Sequence, residues 1–263
     1  MPLTLLADLH THSVASGHGF STVTEIAGAA SSAGLELVAV TDHGPSVPGG
    51  ADAWYFWNVR AVPVRMGGVV VLMGCEANVT EAGEGVDIPG EVLAGLDLVA
   101  VGFHPLTGFD GSSSARNTAA LLRAMRNPLV DVVTHPGSAD FPLDVEEIAA
   151  AAVELGVVLE LNDHSFDPHS SRARSSGREI AFAEAARDAG GFICIGSDAH
   201  YHDSVGSFAR ASQVAQSIGF PRERILNRDA VSVLKHLRGR RPRPRLEALD
   251  EAVAATEATG EAR

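Results

Sequence analysis

Side chains that can bind metal follow successive short apolar segments of this 263-residue chain, and this placement constrains the fold more than any other feature. The segments are rich in Val, Ile and Leu, as expected for parallel strands buried on both faces. They are Leu3–Leu9, Glu36–Thr41, Val69–Cys75, Leu98–Phe103, Leu129–Thr134, Val157–Leu161 and Phe192–Gly196. Because the carboxyl ends of parallel strands meet at one mouth of a barrel, ligands that are distant in sequence would come together there.

Helical patterns lie between these segments, and two more follow the last one. They cover Val23–Ala33, Ala53–Arg65, Thr118–Met125, Val145–Leu155, Arg178–Ala189, Val205–Ile218 and Asp229–Leu237. This alternation indicates a parallel sheet, because parallel neighbours need crossover connections. The chain is therefore predicted to be α/β, a distorted TIM-like (β/α)7 barrel in a single domain over residues 1–238. The Arg- and Pro-rich stretch 239–245 is unsuited to regular helix, and residues 239–263 are predicted to form a mobile tail.

The overall charge narrows the classes of partner. The chain has 33 acidic and 20 basic residues, a formal net charge of -13, which disfavours a long nucleic acid. No apolar stretch approaches the roughly 20 residues that cross a bilayer, so neither membrane insertion nor a signal peptide is predicted. The 2 cysteines, Cys75 and Cys194, lie inside apolar segments. These features predict a reduced, cytoplasmic protein.

Two pairs of alternating ligands give the strongest local signal. His10 and His12 flank Thr11 in an extended segment, so both imidazoles point to one side and can reach one ion. Asp198 and His200 repeat this spacing after the last strand, which a seven-stranded barrel places beside the first. One such pair alone is equally typical of ordinary polar residues at a strand end. Together, the two pairs would face each other.

Single ligands follow four other strands, namely His43, Glu76, His104 and His135. Glu76 is the hardest to explain as a structural residue, since an ionised carboxylate beside an apolar strand is costly unless it is paired or coordinated. His18, in the loop after the first strand, is by itself typical of a surface histidine. It becomes a predicted ligand only in the company of the others.

This set exceeds the needs of one catalytic zinc ion, which uses about three protein ligands. Two or three ions are implied, and imidazole and carboxylate suit zinc, manganese or iron alike. Neighbouring ions generate a bridging hydroxide at neutral pH and clamp the oxygens of a phosphoryl group. The leading hypothesis is therefore a metal-dependent phosphatase that hydrolyses a small phosphomonoester by attack of a metal-bridging hydroxide.

Several motifs resemble the polymerase and histidinol phosphatase (PHP) family. They are His10-Thr11-His12-Ser13, Thr41-Asp42-His43-Gly44, Glu76, His104, His135-Pro136-Gly137 and Gly196-Ser197-Asp198-Ala199-His200. Over residues 6–238 the chain is similar, more narrowly, to bacterial probable phosphatases of that family with a trinuclear zinc centre. The resemblance implies a distorted barrel of seven strands and three divalent ions, zinc in first place, with manganese or iron as alternatives.

The resemblance also assigns the ligands to the ions. One ion would be held by His10, His12, Glu76 and Asp198, and a second by His18, His43 and His200. Glu76 would bridge to a third ion completed by His104 and His135. Among these ligands, Glu76, Asp198 and His200 are predicted to be the catalytic residues.

Further residues give weaker predictions. Arg172, Arg174 and Arg178, in or just after the loop that follows the sixth strand, are predicted to bind substrate phosphate, although a solvated loop explains them equally well. For the other groups a surface or packing role is the commoner explanation. These groups are the proton-donor candidates His164, His169 and His202, the ligand-orienting candidates Asn78 and Asn162, and the pocket-wall candidates Trp54, Tyr55 and Trp57.

Three other functions stay open beside a phosphatase with a small phosphorylated substrate. An amidohydrolase also begins with His-x-His on a barrel strand, but that class typically adds a bridging lysine, and no lysine precedes Lys235. A nucleotide phosphodiesterase or nuclease is disfavoured for long nucleic acids by the acidic charge. A non-catalytic, metal-loaded binding protein would keep the same ligands. The sequence gives no signal for an oligomeric state.

Overall fold

The computed structural model describes residues 3–81, 83 and 85–247 of the chain. The strands in this part are β1 (Ala7–Thr11), β2 (Leu37–Val40), β3 (Arg65–Met66), β4 (Val69–Asn78), β5 (Leu98–Gly102), β6 (Val132–Val133), β7 (Val158–Asn162) and β8 (Ile193–Gly196). The helices are α1 (Val23–Ser32), α2 (Ala53–Asn58), α3 (Gly90–Leu93), α4 (Ser114–Met125), α5 (Val145–Leu155), α6 (Ser176–Ala189), α7 (Ala209–Ser217) and α8 (Ala230–Arg240).

Seven of these strands form a nearly closed parallel barrel in the order β1-β2-β4-β5-β6-β7-β8. The short β3 pairs antiparallel with β4 and was not predicted from the sequence. Buried residues of α1, α4, α5 and α6 pack with alternate strand residues in one large apolar cluster on the outside of the barrel. The predicted (β/α)7 barrel is confirmed.

Alternation along the strands separates an apolar barrel floor from a polar mouth. In β4, Val70 and Leu72 belong to a second, inner apolar cluster, and Glu76 lies on the same face further along the strand. In β7, Val158 belongs to the inner cluster and Glu160 follows two residues later. One face of each strand therefore supplies apolar packing near its start and polar groups near its end.

The first strand contains a break in register that lets it contribute side chains both to the inner apolar cluster and to the polar mouth. The register between β1 and β2 shifts between Asp8 and Thr11. A bulge at such a point changes the direction of successive side chains. Leu9 can therefore pack in the inner apolar cluster while the adjacent His10 points into the mouth.

The last strand closes against the first through a bridge and a buried side chain, so the predicted proximity of the first and last strands is confirmed. Thr11 pairs in parallel with Ala199, just after β8. Below this bridge, the Asn227 amide donates to the carbonyl oxygens of Ala7 and Ile195, each at 2.8 Å, and accepts from the Ile195 N–H at 3.0 Å. Asn227 thus supplies hydrogen bonds that direct strand pairing would otherwise make.

The carboxyl-terminal arginines cover the opposite end of the barrel, where Asp97 and Asp131 precede β5 and β6. The buried Arg243 donates to Asp131 Oδ1 at 2.6 Å, and Arg240 Nε donates to the same oxygen at 3.1 Å. Arg245 forms an ion pair with Asp97.

These contacts correct part of the predicted mobile tail. Helix α8 continues to Arg240, and the chain up to residue 247 packs beneath the barrel. Helix α8 ends before Pro242 and Pro244, the two prolines that suggested an irregular tail. The buried carboxylates of Asp97 and Asp131 hold the segment that contains these prolines. The rest of the predicted tail, 248–263, lies outside the described residues. Within residues 3–81, 83 and 85–247, no helix has the length and apolar character needed to cross a bilayer.

Candidate metal centre

The nine side chains predicted to be ligands come together at the carboxyl ends of the barrel strands. Eight of them form overlapping groups of three whose ligand atoms lie within 4.8 Å of one another. The groups are His12, His43 and His200; His10, His135 and Asp198; His10, His12 and Glu76; and His43, Glu76 and His104. The ninth, His18, stacks its ring on those of His43 and His200, with centroids 4.9 Å and 4.7 Å apart.

Glu76 lies at the centre of this cluster. Its Oε2 is 3.3 Å from His10 Nε2 and 3.5 Å from His12 Nε2, whereas its Oε1 is 3.2 Å from His104 Nε2 and 2.7 Å from His135 Nε2. Despite these short distances, neither buried oxygen has a partner with hydrogen-bond geometry among the described residues. Oε2 also lies 3.0 Å from His43 Nδ1, so three imidazoles surround Oε2 and two surround Oε1.

Several ring nitrogens of the cluster are buried without a hydrogen-bond partner in the described part of the chain. They are His43 Nδ1, His104 Nε2, His135 Nε2 and His200 Nε2. A buried polar atom without a partner costs free energy, which a coordinated cation would remove. Converging imidazole nitrogens and carboxylate oxygens are donors that divalent transition metals accept. The residues present therefore fit metal ions.

Burial and neighbouring groups set the protonation of the cluster. Burial alone would raise the pKa of Glu76, but surrounding imidazoles, chiefly those of His104 and His10, hold it well below its usual range. Burial lowers the pKa of His104 to about 3 and that of His12 well below its ordinary value. The resulting carboxylate and neutral imidazoles are the forms that bind metal.

Partners behind two imidazoles fix the direction of their rings. His10 Nδ1 lies 2.7 Å from Glu160 Oε1, and His104 Nδ1 lies 2.7 Å from Asn78 Oδ1. An N–H donated to each oxygen leaves Nε2 of the same ring available to a metal. Burial disfavours protonated His10, yet Glu160 and two further carboxylates raise its pKa well above the ordinary value.

A hydroxyl and a carboxylate orient His12 in a similar way. His12 Nδ1 lies 3.0 Å from Ser16 Oγ, and that hydroxyl donates to Asp42 Oδ1 at 2.7 Å. Asp42 also accepts from Ser13 Oγ at 2.7 Å and from the Tyr55 hydroxyl at 2.6 Å. Asp42 thereby joins the loop after β1 to helix α2 and fixes the position of His12.

Two strand glycines leave room for the carboxylates of the site. A Cβ atom on Gly196 would collide with Glu160 Oε1. A Cβ atom on Gly102 would lie 2.9 Å from His135 Cε1 and 3.2 Å from Glu76 Oε1. Only glycine at these two positions lets the side chains reach their places.

The backbone is strained at two of the predicted ligands. His135 and Asp198 have positive φ angles of 31° and 55°. Such conformations cost about 1–3 kcal/mol each for residues other than glycine, and they concentrate at functional sites. Here the strain accompanies two side chains that point into the cluster.

A cavity of about 580 Å³ opens onto the cluster. One side of it is apolar and consists of Val47, Pro48, Phe103, Pro105 and Leu106. The remaining wall includes predicted ligands and two of the predicted substrate-binding arginines. A larger groove of about 1290 Å³ beside α7 contains no predicted ligand. The smaller cavity is therefore the one that can serve the chemistry of the cluster.

Comparison with known families decides the classification. A model of the PHP domain matches residues 8–216, a span that includes all nine predicted ligands. The chain belongs to the PHP family. A probable phosphatase of Thermoanaerobacter sp. strain X514 is 38% identical over 234 residues, which are 89% of this chain and 95% of the relative. A probable phosphatase of Shewanella sediminis strain HAW-EB3 is 41% identical over 233 residues, 88% of this chain and 93% of the relative.

A solved structure shares the fold of this PHP chain. Histidinol phosphate phosphatase from Lactococcus lactis, crystallised with zinc, L-histidinol and phosphate, superposes with a TM-score of 0.61. The two chains are 18% identical, and the match covers 83% of this chain and 95% of the other. At this identity the similarity establishes the fold alone. At the level of enzyme class, the family and the sequence relatives confirm the expectation of a PHP-type phosphatase.

The three arginines predicted to bind substrate occupy different environments in the PHP barrel. Arg172 lines the cavity, and its Nε lies 3.4 Å from Asp198 Oδ2. Arg174 lies at the exposed rim and donates to Asp140 at 2.8 Å. Arg178 is not part of the cavity lining and donates to a backbone carbonyl before α5 at 2.9 Å. Arg178 therefore contacts the backbone before α5 and not the cavity.

The proton-donor and aromatic candidates are also separated by the structure. His164 and His169 are both exposed, but of the two only His164 lines the cavity. His202 lies outside the cavity lining, with its Nδ1 3.1 Å from a serine hydroxyl of the first loop. Trp54 and Trp57 are exposed and do not line the cavity. Of the three histidines, only His164 faces the space where a substrate could bind.

Glu160, Ser16 and Asp42, whose side chains orient imidazoles of the cluster, were not among the predicted site residues. The signal for Glu160 was present, because it is a charged residue inside an apolar strand segment, the same reason that singled out Glu76. Asp42 lies in the motif Thr41-Asp42-His43-Gly44 but was given no role, and Ser16 is a loop residue that no sequence pattern distinguishes from a solvated one.

Proposed function

We propose that this PHP-family protein hydrolyses a small phosphomonoester at a centre of three divalent ions, with zinc in first place and manganese or iron as alternatives. The observation that carries the proposal is the convergence of the nine predicted ligand side chains, with Glu76 at their centre and its buried oxygens without hydrogen bonds among the described residues. Relatives named probable phosphatases support the reaction class. The zinc, L-histidinol and phosphate in the related barrel support the kind of metal and substrate.

Glu76 is proposed to bridge two of the ions. Its Oε2 would share one ion with His10, His12 and Asp198, and its Oε1 would share another with His104 and His135. The contacts of Oε2 with His10 and His12, and of Oε1 with His104 and His135, support this division. His43 Nδ1, 3.0 Å from Oε2, connects this pair of ions to the third. The third ion would be held by His18, His43 and His200, whose rings lie beside one another. Within this set, Glu76, Asp198 and His200 are the proposed catalytic ligands.

When bound, such ions would supply an activated water near neutral pH and neutralise charge on the phosphate oxygens. The residues of the chain position the substrate. Arg172 is proposed to bind the phosphate, because its guanidinium faces the cavity beside Asp198 and can fork onto two oxygens. Asn162 Nδ2, 3.3 Å from Asp198 Oδ2, steadies the carboxylate that Arg172 contacts.

The size and charge of the site support a small substrate. A volume of about 580 Å³ is within the usual range for small-molecule pockets, and its apolar side suits a compact organic leaving group. The net charge of -13 opposes binding of a long polyanion. A small phosphomonoester satisfies both conditions.

A substrate panel tests the proposal. Protein loaded with zinc, manganese or iron is assayed against phosphomonoesters, a phosphodiester and an amide, with metal content measured on the same samples. We expect turnover of phosphomonoesters, and its loss in a Glu76→Gln variant excludes a contaminating phosphatase. Turnover of the amide alone would indicate an amidohydrolase, and preference for the diester would indicate a phosphodiesterase. A fully metal-loaded protein that turns over none of them would be a binding protein.

A further inference from the structure

Among the described residues that line the cavity, His164 is the one titratable residue that is neither a proposed ligand nor engaged in an ion pair. Outside the proposed ligands, the titratable residues of the cavity lining are Asp140, His164, Arg172 and Arg174. Asp140 and Arg174 are joined to each other at 2.8 Å, and Arg172 lies against a ligand carboxylate. The imidazole of His164 makes no hydrogen bond or ion pair with the described residues. Histidine is also the side chain best suited to exchange protons near neutral pH.

The backbone around His164 is held on both sides. Asn162 Oδ1 accepts from the Ser165 N–H at 3.2 Å, and the carbonyl of His164 accepts from Ser170 Oγ at 2.7 Å. The preceding carboxylate, Asp163, turns away from the cavity and accepts the Ala211 N–H of α7 at 2.8 Å. These bonds fix a short 3-10 turn and leave the imidazole of His164 facing the cavity.

One arginine pairs with both carboxylates that flank His164 in this turn. Arg210 contacts Asp163 Oδ2 at 3.4 Å and Asp167 Oδ2 at 3.1 Å, so both carboxylates next to His164 already have a cationic partner. His169, in the same loop, is exposed and does not line the cavity. No described carboxylate makes an ion pair with His164, so its ring nitrogens are free to hydrogen-bond to a bound molecule.

We propose that His164 is the proton donor to the leaving oxygen, a role that rests on the proposed phosphatase activity. A water oxygen forms a bond to phosphorus while the bond from phosphorus to the leaving oxygen breaks, and the electron pair stays on that oxygen. The leaving oxygen takes a proton from the His164 imidazolium, which regains one from solvent. The proton lost by the attacking water passes to solvent, so atoms and charge balance.

The structure favours His164 over the other histidines. The nine proposed ligands include every other histidine of the cavity lining, and His169 and His202 lie outside that lining. A donor must come within hydrogen-bond reach of the leaving oxygen, directly or through one water. Among the described histidines that are not proposed ligands, only His164 borders the space into which that oxygen would project.

Leaving groups of different basicity test this role. An alkoxide leaving group needs a proton, whereas p-nitrophenolate departs without one. We therefore expect His164→Gln to lower kcat for n-propyl phosphate by about 100-fold and kcat for p-nitrophenyl phosphate by less than about threefold. The matched control His169→Gln, in the same loop but outside the cavity, should leave both values within about twofold. A second variant, His164→Asn, should repeat the pattern.

The metal content and the thermal unfolding midpoint of each variant are compared with those of the wild type. Equal values show that the site and the fold are intact. Equal slowing of both substrates, or slowing of neither, would overturn the role of His164 while leaving the phosphatase proposal in place. A wild-type protein that hydrolyses no phosphoester would overturn the proposed function and this inference together.

Discussion

Glu160 serves three neighbours of the proposed centre from one buried position. Its Oε1 lies 2.7 Å from His10 Nδ1, and its Oε2 accepts from the backbone N–H of His135 at 2.8 Å and from Asn162 Nδ2 at 3.1 Å. It therefore positions two proposed ligands that come from different strands. A carboxylate behind a metal-binding imidazole also raises the basicity of that imidazole.

Removal of this charge should weaken metal binding without removing a ligand. For Glu160→Gln we expect zinc affinity to fall by about 10- to 100-fold, measured by competition with a chromogenic chelator. The exposed Glu154→Gln on α5 is the matched control and should keep the wild-type affinity. An unchanged affinity in Glu160→Gln would show that His10 does not depend on this partner.

Glu179, near the start of α6, is a second buried acid, and it makes the stability of the fold depend on pH. Burial raises its pKa from 4.5 to about 8, and the nearby Glu160 adds to the effect. Between these two values the unfolded carboxyl loses its proton while the folded one keeps it. The folded state then binds the extra proton, so stability must fall as pH rises through this range.

The variant Glu179→Gln cannot lose a proton and isolates this contribution. Relative to the variant, the wild type should lose up to roughly 1.4 kcal/mol of unfolding free energy per pH unit between about pH 5 and 8. Urea denaturation of both proteins at four pH values measures the difference. A difference that is constant, or that grows in favour of the wild type, would contradict the prediction.

Among the elements, the seam between β1 and β8 depends on Asn227. In Asn227→Ala the carbonyls of Ala7 and Ile195 and the N–H of Ile195 lose their partner inside the barrel wall. Since each buried unsatisfied group costs about 1–3 kcal/mol, we expect a loss of at least about 2 kcal/mol of unfolding free energy. Asn58→Ala, an exposed control, should cost less than about 1 kcal/mol. Equal losses in the two variants would show that the hydrogen bonds of Asn227 between β1 and β8 make no special contribution to stability.

The strands of the barrel could be predicted from the sequence, but their ends could not. Continuous apolar runs identify strands that are buried on both faces. Glu76 and His10 nevertheless lie within β4 and β1, because the barrel interior is polar at its mouth and the strands continue into it. The elements β3 and α3 contain 2 and 4 residues, too few to show a periodic pattern.

The predicted ligands could be found because imidazoles and carboxylates are rare beside buried strands. The residues that orient them were less accessible to sequence reasoning. Ser16 and Asp42 lie in loops, and their bonds to His12 and Tyr55 exist only once the first loop and α2 meet in space. The separation of Arg172 from Arg178 likewise depends on how one loop folds over the cavity.

At the scale of the whole molecule, the proposed metal ligands lie at one end of the barrel and arginines cover the other end. This second end, with Asp97, Asp131 and the arginines paired with them, is called the floor here. The floor was not predicted, because four arginines among prolines look like an exposed tail until their partners Asp97 and Asp131 are known. These two acids start adjacent parallel strands far away in sequence. Residues 240–245 thereby connect the segment after α8 to the strands in the middle of the sheet.

Breaking the floor should destabilise the whole barrel. In Asp131→Ala the buried Arg243 loses its carboxylate, and a buried charge left without its partner costs about 3–5 kcal/mol of unfolding free energy. The control Asp188→Ala removes an exposed partner of Arg187 and should cost at most about 1 kcal/mol. Denaturant unfolding measures both, and a loss below about 1 kcal/mol for Asp131→Ala would show that the arginines do not stabilise the floor.

Anomalous diffraction at the zinc edge from crystals of the zinc-loaded protein tests the central claim most directly. Three neighbouring peaks are expected at the barrel mouth, together in contact with all nine proposed ligands, and with Glu76 between two of them. A single peak, peaks away from these side chains, or no peak under saturating zinc would contradict the proposed trinuclear centre.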